Sequence, residues 1–251
     1  MLFRPSKSLT AAHTVPFAIG IATQSLPRLS RCSCRPGQLD LDALAPDWRA
    51  SMTAAGCGAQ AVRRALDLVL SLAGLVLTLP LLLLVSVLVK LDSPGPVFYR
   101  QERVGLGGRT FALVKFRSMR VDAEAAGPRW ASERDPRVTR MGRLLRLTRI
   151  DELPQLLNVL AGSMSLVGPR PERPHFVGQL TQVIPHFAAR VAVKPGITGW
   201  AQVNYPYGAS IEDARQKLAY DLFYLQHRSL ALDLRILLST VRVVVCQSGA
   251  R

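Results

Sequence analysis

The sequence contains few cysteines, and none of them is placed as a metal ligand. Four cysteines occur in 251 residues without a Cys-x-x-Cys pair, and only Cys246 lies beyond the first sixty positions. Neither a zinc site nor a disulfide framework is therefore indicated. The four histidines have no metal-ligand spacing either, so no role follows for them.

Acidic residues are also scarce. The chain has 17 Asp and Glu against 32 Lys and Arg, which gives a formal net charge of +15. Hydrophobic residues make up 49% of the chain, a share that is unusual for a nucleic-acid-binding protein. The combination of basic charge and apolar composition favours an anionic membrane surface as the partner. The length allows one large domain or two small ones with a substantial core.

The first sixty residues lack a periodic apolar face, and their only apolar run, residues 11–22, is too short and too interrupted to cross a bilayer. No clean cleavage site follows that run. We interpret residues 1–60 as a poorly ordered N-terminal extension without chemistry, with a targeting peptide as the alternative.

One long apolar run is present. Residues 68–89 carry no charge and are rich in Leu and Val, which is enough to cross a hydrocarbon core of ~30 Å at ~1.5 Å per residue. Pro80 interrupts the run and predicts a kink. Basic residues flank both ends, Arg63 and Arg64 before the run and Lys90 after it, which favours both ends on the same side. A re-entrant helix and a single spanning helix both remain open.

An acidic residue lies at helical spacing from the first basic pair. Asp67 follows Arg63 by four positions and Arg64 by three, so it could neutralise one of them at the membrane interface and set the depth of entry. A solvated surface pair explains the same spacing.

A β-hairpin is predicted after the apolar run. Residues 97–104 and 110–117 have strand-like composition around a Gly-rich turn. Because strand side chains alternate between faces, Lys115 and Arg117 share one face as a candidate phosphate clamp. A solvated polar face is the alternative. The polar residues 121–138 predict a mobile loop over a site.

A series of arginines follows at every third residue. On a helix this spacing rotates each arginine by about 60° from the last, so the series winds around the axis and only some members face a site. The series consists of Arg137, Arg140, Arg143, Arg146 and Arg149. Some of them could meet lipid phosphates while Arg146 or Arg149 turns toward the site.

Two adjacent carboxylates, Asp151 and Glu152, stand where this basic segment meets an apolar helix. Leucines recur at helical spacing over residues 153–160, and Pro154 is tolerated only in a first turn, so the pair should lie at a helix start. Free N–H groups and positive partial charge there stabilise a carboxylate and a phosphate docked beside it. This arrangement is expected of a carboxylate that attacks phosphorus. Simple helix capping by Asp151 is the alternative.

Two Gly- and Pro-rich segments follow. Residues 162–172 predict a fixed loop in which two prolines flank Arg170 and present its guanidinium to a diphosphate, although a structural turn with an incidental arginine is also possible. Residues 194–205 carry Trp200 and Tyr205, which could stack on a nucleobase or serve as core anchors.

Two helices are predicted in the last part of the chain, at residues 211–227 and 230–246. The apolar residues of the second helix suit either the membrane interface or burial against the domain.

Five of these segments together resemble the bacterial sugar transferase family, the monotopic phosphoglycosyl transferases. They are SPGPVFYRQERVG (93–105), KFRSM (115–119), DELPQLLN (151–158), SLVGPRPE (165–172) and KPGITGWAQVNY (194–205). The motifs occur in the family's order, and the resemblance is to the small, catalytic-core form.

The resemblance implies a mostly helical α+β fold. A membrane-embedded, Pro-kinked re-entrant helix at residues 61–91 would precede a monotopic catalytic domain at residues 92–251, built from a small β-hairpin and interfacial or amphipathic helices. The family anchor has a serine before its proline. Leu79 stands in that place here, and Thr78 could instead satisfy the backbone that the kink frees.

The resemblance also implies an activity, namely the transfer of sugar-1-phosphate from a UDP-sugar to undecaprenyl phosphate with Mg²⁺ and release of UMP, at the cytoplasmic face of the bacterial inner membrane. Asp151 would be the nucleophile, and Mg²⁺ would be held near Asp151 and Glu152. Glu152, the second catalytic residue, would help to bind the metal or assist the incoming acceptor. The implied substrate-binding residues are Lys115, Arg117, Arg170, Pro171 and Glu172.

Membrane lipids are predicted partners, nucleic acid is not, and a homo-oligomer is possible. Two alternatives remain open. One is a basic membrane-associated protein that docks nucleic acid or acidic lipid without catalysis, and the other is a family member that has lost its activity.

Overall fold

The computed structural model describes residues 57–245, except residues 126, 128, 131, 133, 134, 207 and 209. The predicted N-terminal extension, residues 1–60, lies outside the described residues as far as position 56.

The longest element is helix α1, Cys57–Asp92, which contains the whole apolar run. Within the described residues it is the one helix that is long and apolar enough to cross a membrane. Its central leucines and valines are exposed, and the exposed fraction of Leu77 is 82%. Since an exposed apolar surface of this size is unusual for a protein in water, the prediction of a membrane-compatible helix is confirmed.

The helix continues through Pro80. A proline has no N–H, so the carbonyl of Val76 loses its helical donor. The hydroxyl of Thr78 donates to the carbonyl of Gly74 at 2.6 Å and not to that of Val76. The predicted compensation by Thr78 is therefore wrong, because its hydroxyl reaches the carbonyl four residues before itself.

The N-terminal end of α1 is fastened to the rest of the fold by polar contacts. Arg63 Nε lies 2.7 Å from Asp233 Oδ2, and Asp67 Oδ1 accepts the N–H of Leu166 at 2.9 Å. Arg64 donates to two backbone carbonyls at the end of a later helix, at 2.6 and 2.8 Å. The predicted pairing of Asp67 with a neighbouring arginine is wrong, because each of these side chains finds a partner from another element.

The C-terminal end of α1 packs into the same body. Val85 and Val89 are buried in a cluster with Phe116 and Leu145. Asp92 Oδ2 accepts a backbone N–H from the helix that contains Leu145, at 3.1 Å. Both ends of α1 are therefore in contact with the residues that follow it.

Strands β1, Phe98–Val104, and β2, Thr110–Phe116, form the predicted antiparallel hairpin around a 3-10 turn. Tyr99 lies opposite Lys115 in the register. The next helix, α2, Arg140–Leu147, begins at Thr139, whose Oγ1 accepts the N–H of Gly142 at 3.0 Å. A Cβ at Gly142 would overlap the carbonyl of Ser118, so glycine allows α2 to approach the chain that leaves β2.

Helix α3, Gln155–Leu160, leads to strand β3, Ser165–Val167, which pairs in parallel with β4, Gly196–Thr198. Helix α4, Pro174–Val183, and a 3-10 segment, Phe187–Ala192, form the connection between the two strands.

Three further helices follow β4: α5, Trp200–Asn204; α6, Ile211–His227; and α7, Leu230–Val245. The bounds of α6 agree with the prediction, because Ser210 and Asp213 form a capping box at its start. Trp200 belongs to a core cluster with Tyr224 and Ile236, so of its two predicted roles the structure supports the core anchor. The described part of the chain is thus mostly helical with the expected hairpin, and it also contains a second small sheet, β3 with β4, that was not predicted.

Candidate active site

The two adjacent carboxylates lie in a turn between α2 and α3. Arg149 adopts a left-handed backbone conformation, with φ 61°, and redirects the chain after α2. Ile150–Glu152 then forms a 3-10 turn, and Pro154 occupies the N-cap of α3. A non-glycine residue in this region costs roughly 1–2 kcal/mol, so packing must hold the turn in place. Asp151 and Glu152 therefore precede the first turn of α3 instead of lying within it.

Helix α3 is tied to the hairpin by Asn158. Its Oδ1 accepts the N–H of Val114 at 2.9 Å, and its Nδ2 donates to the carbonyl of Ala112 at 2.8 Å. The predicted leucine face is not the buried one, since Leu157 is half exposed while Asn158 is buried. These bonds fix the distance between the carboxylate turn and Lys115, the next residue of β2.

Asp151 is largely buried, with 7% of its surface exposed, and it accepts no hydrogen bond within the described part of the chain. Burial raises the pKa of Asp151, and the negative charge of Glu152 raises it further, against the opposing charges of Lys115, Arg146 and Arg170. A buried carboxylate without hydrogen bonds has its lone pairs available for a metal ion or for an electrophile.

Glu152 has the opposite surroundings. Arg170 Nη2 lies 2.5 Å from Glu152 Oε1, and Nη1 lies 3.3 Å from Oε2, which is a bidentate ion pair. Burial alone would raise the pKa of Glu152, but the charge and hydrogen bonds of Arg170 outweigh it and hold that pKa below its usual range. Glu152 is thus ionised and committed to a partner.

The loop that carries Arg170 is fixed by two other arginines. Arg190 Nη2 donates to the carbonyl of Arg170 at 3.0 Å, and Arg103 Nη1 donates to the carbonyl of Pro171 at 2.9 Å. The carbonyl of Glu172 accepts the N–H of Val104 at 2.9 Å, and its carboxylate lies 3.7 Å from Arg103. The prediction that residues 162–172 lack regular structure is wrong for residues 165–167, which form β3 because they pair with β4, whereas residues 170–172 form a loop held by these contacts.

Lys115 is brought to the carboxylate pair. Its ammonium group lies 5.4 Å from the centre of the Tyr99 ring. Burial lowers the pKa of Lys115 to about 8, and the charge of Arg103 acts in the same direction while that of Asp151 opposes it. Lys115 and Arg170 therefore both act as positive charges on the two carboxylates.

Arg117 is not brought to the carboxylates. Its guanidinium donates to the carbonyls of Ser93 and Pro94, and the residue is buried there. The alternation of a strand does not extend to Arg117, because β2 ends at Phe116. The pair of cations that the alternation predicted is therefore not formed, and Arg117 instead stabilises the turn after α1.

The arginine series divides as its spacing predicted. Arg140 and Arg143 are exposed on α2, whereas Arg146 is half buried and donates to Ser118 Oγ at 2.9 Å. The charge of Arg146 acts on Asp151, and that of Arg149 acts on Glu152. Both alternatives, Arg146 on α2 and Arg149 just after it, therefore act electrostatically on the carboxylates.

Sequence reasoning missed two residues of this region, Arg103 and Gln202. Gln202 Oε1 accepts a hydrogen bond from Arg170 Nη1 at 2.9 Å. Arg103 and Gln202 lie 67 positions before and 32 positions after Arg170 in the sequence, and no local pattern connects them to it. Only the fold brings them together.

Of the two carboxylates predicted to hold Mg²⁺, only Asp151 has oxygens that could take part in such a site together with a substrate phosphate. Mg²⁺ commonly uses one or two carboxylates together with waters and substrate phosphates. Asp151 offers uncommitted oxygens, while both oxygens of Glu152 already face Arg170. Within the described residues no group of three or more His, Cys, Asp or Glu could hold a metal ion, so a protein-only cage is not formed there.

Two clefts adjoin the Arg170 loop. One, of about 320 Å³, is lined by Arg170, Pro171 and Glu172, and the other, of about 350 Å³, lies between Glu172 and Trp130. Asp151 lines neither cleft. A ligand in the first cleft would contact Arg170, Pro171 and Glu172.

Comparison with known proteins gives a consistent set of matches. The bacterial sugar transferase family profile matches residues 58–247. A UDP-N-acetylgalactosamine-undecaprenyl-phosphate N-acetylgalactosaminephosphotransferase of Aeromonas hydrophila is 46% identical over 190 residues, covering 76% of this chain and 45% of the relative. A UDP-glucose:undecaprenyl-phosphate glucose-1-phosphate transferase of Xanthomonas campestris pv. campestris is 48% identical over 187 residues, covering 73% of this chain and 39% of the relative.

A UDP-glucose:undecaprenyl-phosphate glucose-1-phosphate transferase of Caulobacter vibrioides is 47% identical over 190 residues, covering 75% of this chain and 71% of the relative. The aligned part of the chain thus spans less than half the length of the first two relatives and over two thirds of the third.

Proposed function

Because the chain belongs to the bacterial sugar transferase family, we propose that it transfers sugar-1-phosphate from a UDP-sugar to undecaprenyl phosphate and releases UMP. The names of the three relatives described above support the lipid acceptor. They differ in the sugar, which is N-acetylgalactosamine in one and glucose in two. The proposal therefore specifies the reaction and leaves the sugar open.

Asp151 is the nucleophile of the proposed reaction. One of its oxygens attacks the phosphorus that carries the sugar, and the bond from that phosphorus to the bridging oxygen breaks. UMP leaves with the bridging oxygen and the electron pair of that bond. A phosphate oxygen of undecaprenyl phosphate then attacks the same phosphorus, and the Asp151 carboxylate leaves with the electron pair of its own bond.

The observation that carries this proposal is the contrast between the two carboxylates. Asp151 accepts no hydrogen bond within the described residues, whereas Arg170 engages both oxygens of Glu152. A raised pKa accompanies stronger basicity, and an uncommitted oxygen can approach phosphorus without first losing a partner. Glu152 stays paired with Arg170 in the proposed reaction, and its negative charge helps to keep the pKa of Asp151 raised.

Fixed cations offset the repulsion between an anionic nucleophile and an anionic substrate. Lys115, Arg146 and Arg170 all act on Asp151 electrostatically, and a fixed charge in a water-poor site is worth more than the same charge in water. Bound Mg²⁺ would supply additional neutralisation of the diphosphate, with Asp151 as its protein ligand.

We also propose that α1 is re-entrant, with the carboxylate site at the cytoplasmic face of the bacterial inner membrane. Arg63 and Val89, near opposite ends of α1, both contact the same body, whereas the residues between them expose apolar side chains. A straight crossing would place the two ends, and their partners, in different compartments. The exposed leucines and valines of α7, such as Leu238, suit an interfacial position.

The central test is the variant Asp151→Asn. Loss of the nucleophile should lower UMP release by about 10³-fold or more, and no labelled sugar phosphate should be trapped on the protein when acceptor is omitted. Asp122→Asn is a suitable control, because Asp122 forms an exposed ion pair with Arg120. Turnover of Asp151→Asn near that of the control would refute the assignment.

A further inference from the structure

The guanidinium of Arg170 is shared between a charged partner and a neutral one. Nη2 lies 2.5 Å from Glu152 Oε1, whereas Nη1 lies 3.3 Å from Glu152 Oε2 and 2.9 Å from Gln202 Oε1. The shorter of the two Nη1 contacts is the one to Gln202. The neutral amide therefore contributes to the direction in which the Arg170 fork points.

The orientation of the Gln202 amide is itself fixed. Its Nε2 donates to the carbonyl of Ile197, in β4, at 3.2 Å. A reversed amide would place its NH₂ group against the Arg170 cation and its oxygen against the carbonyl oxygen of Ile197, and both contacts would be repulsive. Ile197 thus holds the oxygen of Gln202 toward Arg170.

The opposite end of Arg170 is held independently. Its backbone carbonyl accepts from Arg190, which in turn forms a 2.7 Å ion pair with the buried Asp221 of α6. With the backbone fixed, the remaining freedom of Arg170 is the rotation of its side chain and of its planar fork. A guanidinium directs its N–H groups in fixed directions, so a second acceptor on Nη1 restricts that rotation.

We propose that Gln202 is a positioning residue, which fixes the plane of the Arg170 guanidinium beside the two carboxylates without bringing a further negative charge to it. An acid at position 202 would hold the same fork but would neutralise part of its charge. The neutral amide gives direction without that loss. This inference rests on the proposed function.

The variant Gln202→Met tests the role, because it keeps the length of the side chain and removes the acceptor. Hydrogen bonds to charged groups correspond to about 10- to 100-fold in rate, so kcat for UMP release should fall by about 10-fold or more. KM for the UDP-sugar should change less than about threefold, because Glu152 still holds Arg170 near the site. An increase in KM for the UDP-sugar of about 10-fold with an unchanged kcat would overturn the positioning role.

A matched control lies two residues further on the same helix. Asn204 is also an amide, but its Nδ2 donates to the carbonyl of Trp200 within α5. Asn204→Leu should retain kcat within about twofold. If it lowers kcat as much as Gln202→Met, the effect belongs to α5 as a whole and the inference fails.

A double-variant cycle shows whether Gln202 acts through Arg170. Lysine keeps the charge but has no fork to orient, so Gln202→Met should lower kcat less than about twofold in an Arg170→Lys background. A full additional 10-fold loss in that background would refute the inference.

The same cycle in thermal unfolding gives a second readout without turnover. Gln202→Met should lower Tm in the otherwise wild-type chain but not in the Arg170→Lys variant. If the two substitutions lower Tm additively, the hydrogen bond between Arg170 and Gln202 is contradicted. Failure of the proposed function looks different, because the wild-type chain would then release no UMP from any UDP-sugar while this coupling in Tm persisted.

Discussion

Asp151 and Glu152 are neighbours in the chain and differ by one methylene group, but Arg170 engages only Glu152. Burial and the charge of Glu152 raise the pKa of Asp151, whereas the charge and hydrogen bonds of Arg170 lower the pKa of Glu152 against the effect of burial. Pairs of titratable groups whose surroundings push their pKa values apart commonly divide a chemical task. At the scale of the residue, an arginine 18 positions from Glu152 holds that carboxylate and leaves Asp151, the proposed nucleophile, without a hydrogen bond in the described part of the chain.

The lowered pKa of Lys115 predicts a pH dependence. A lysine is cationic below its pKa, so Lys115 should be charged at pH 7 and lose its charge as the pH rises through about 8. KM for the UDP-sugar should therefore increase between pH 7 and pH 9, measured as UMP release at saturating acceptor.

Lys115→Arg provides the comparison for this prediction, because arginine stays charged throughout that range. The variant should lack the rise in KM even if its activity at pH 7 is lower. An identical rise in both proteins would show that another group titrates.

At the scale of the element, local sequence patterns located the helices and strands. The contacts between these elements determined which of their side chains are buried. The leucines of α3 suggested an apolar core face, but Asn158 is buried on that helix and Leu157 is half exposed. Asn158 satisfies two backbone groups of β2, which an apolar side chain could not do. The helix is therefore attached to the hairpin by a polar link.

Removal of this link should affect stability and activity together. Asn158→Leu keeps the approximate shape and leaves the N–H of Val114 and the carbonyl of Ala112 without their partner, which should lower the free energy of unfolding by about 1–3 kcal/mol. UMP release should also fall, since the carboxylate turn loses its tie to Lys115. Denaturant unfolding and initial rates measure the two effects.

Asn158→Asp separates the two hydrogen bonds. It retains an acceptor for the N–H of Val114 but sets a carboxylate oxygen against the carbonyl of Ala112, so the free energy of unfolding should again fall below that of the wild type. Wild-type stability of the leucine variant would contradict the proposed link.

At the scale of the whole molecule, α1 is fastened near both ends to the body that carries the carboxylates. The buried ion pair of Arg63 with Asp233 joins it to α7, and Val85 and Val89 join it to β2 and α2. An exposed apolar middle between two attached ends is the arrangement that a re-entrant helix needs.

Cysteine labelling tests this topology in membranes. Single cysteines introduced before Arg63 and after Val89 should be modified by an impermeant reagent from the same side of the bilayer. Modification from opposite sides would exclude the re-entrant helix, while the assignment of Asp151 would stand or fall on its own experiment.

The sequence by itself located the apolar helix, the hairpin, the capped helix α6 and the turn with Asp151 and Glu152. Each of these depends on periodicity, turn residues or capping residues within a short stretch of chain, where local sterics and local burial dominate. The family motifs also fall in such stretches.

Only the tertiary structure decided which side chains meet. It placed Arg117 at the turn after α1, paired Arg63 with Asp233 in preference to Asp67, and set Gln202 against Arg170. These contacts join residues that lie 24 to 170 positions apart. Their geometry depends on how separate elements pack, and the pattern within any one element carries no record of that packing.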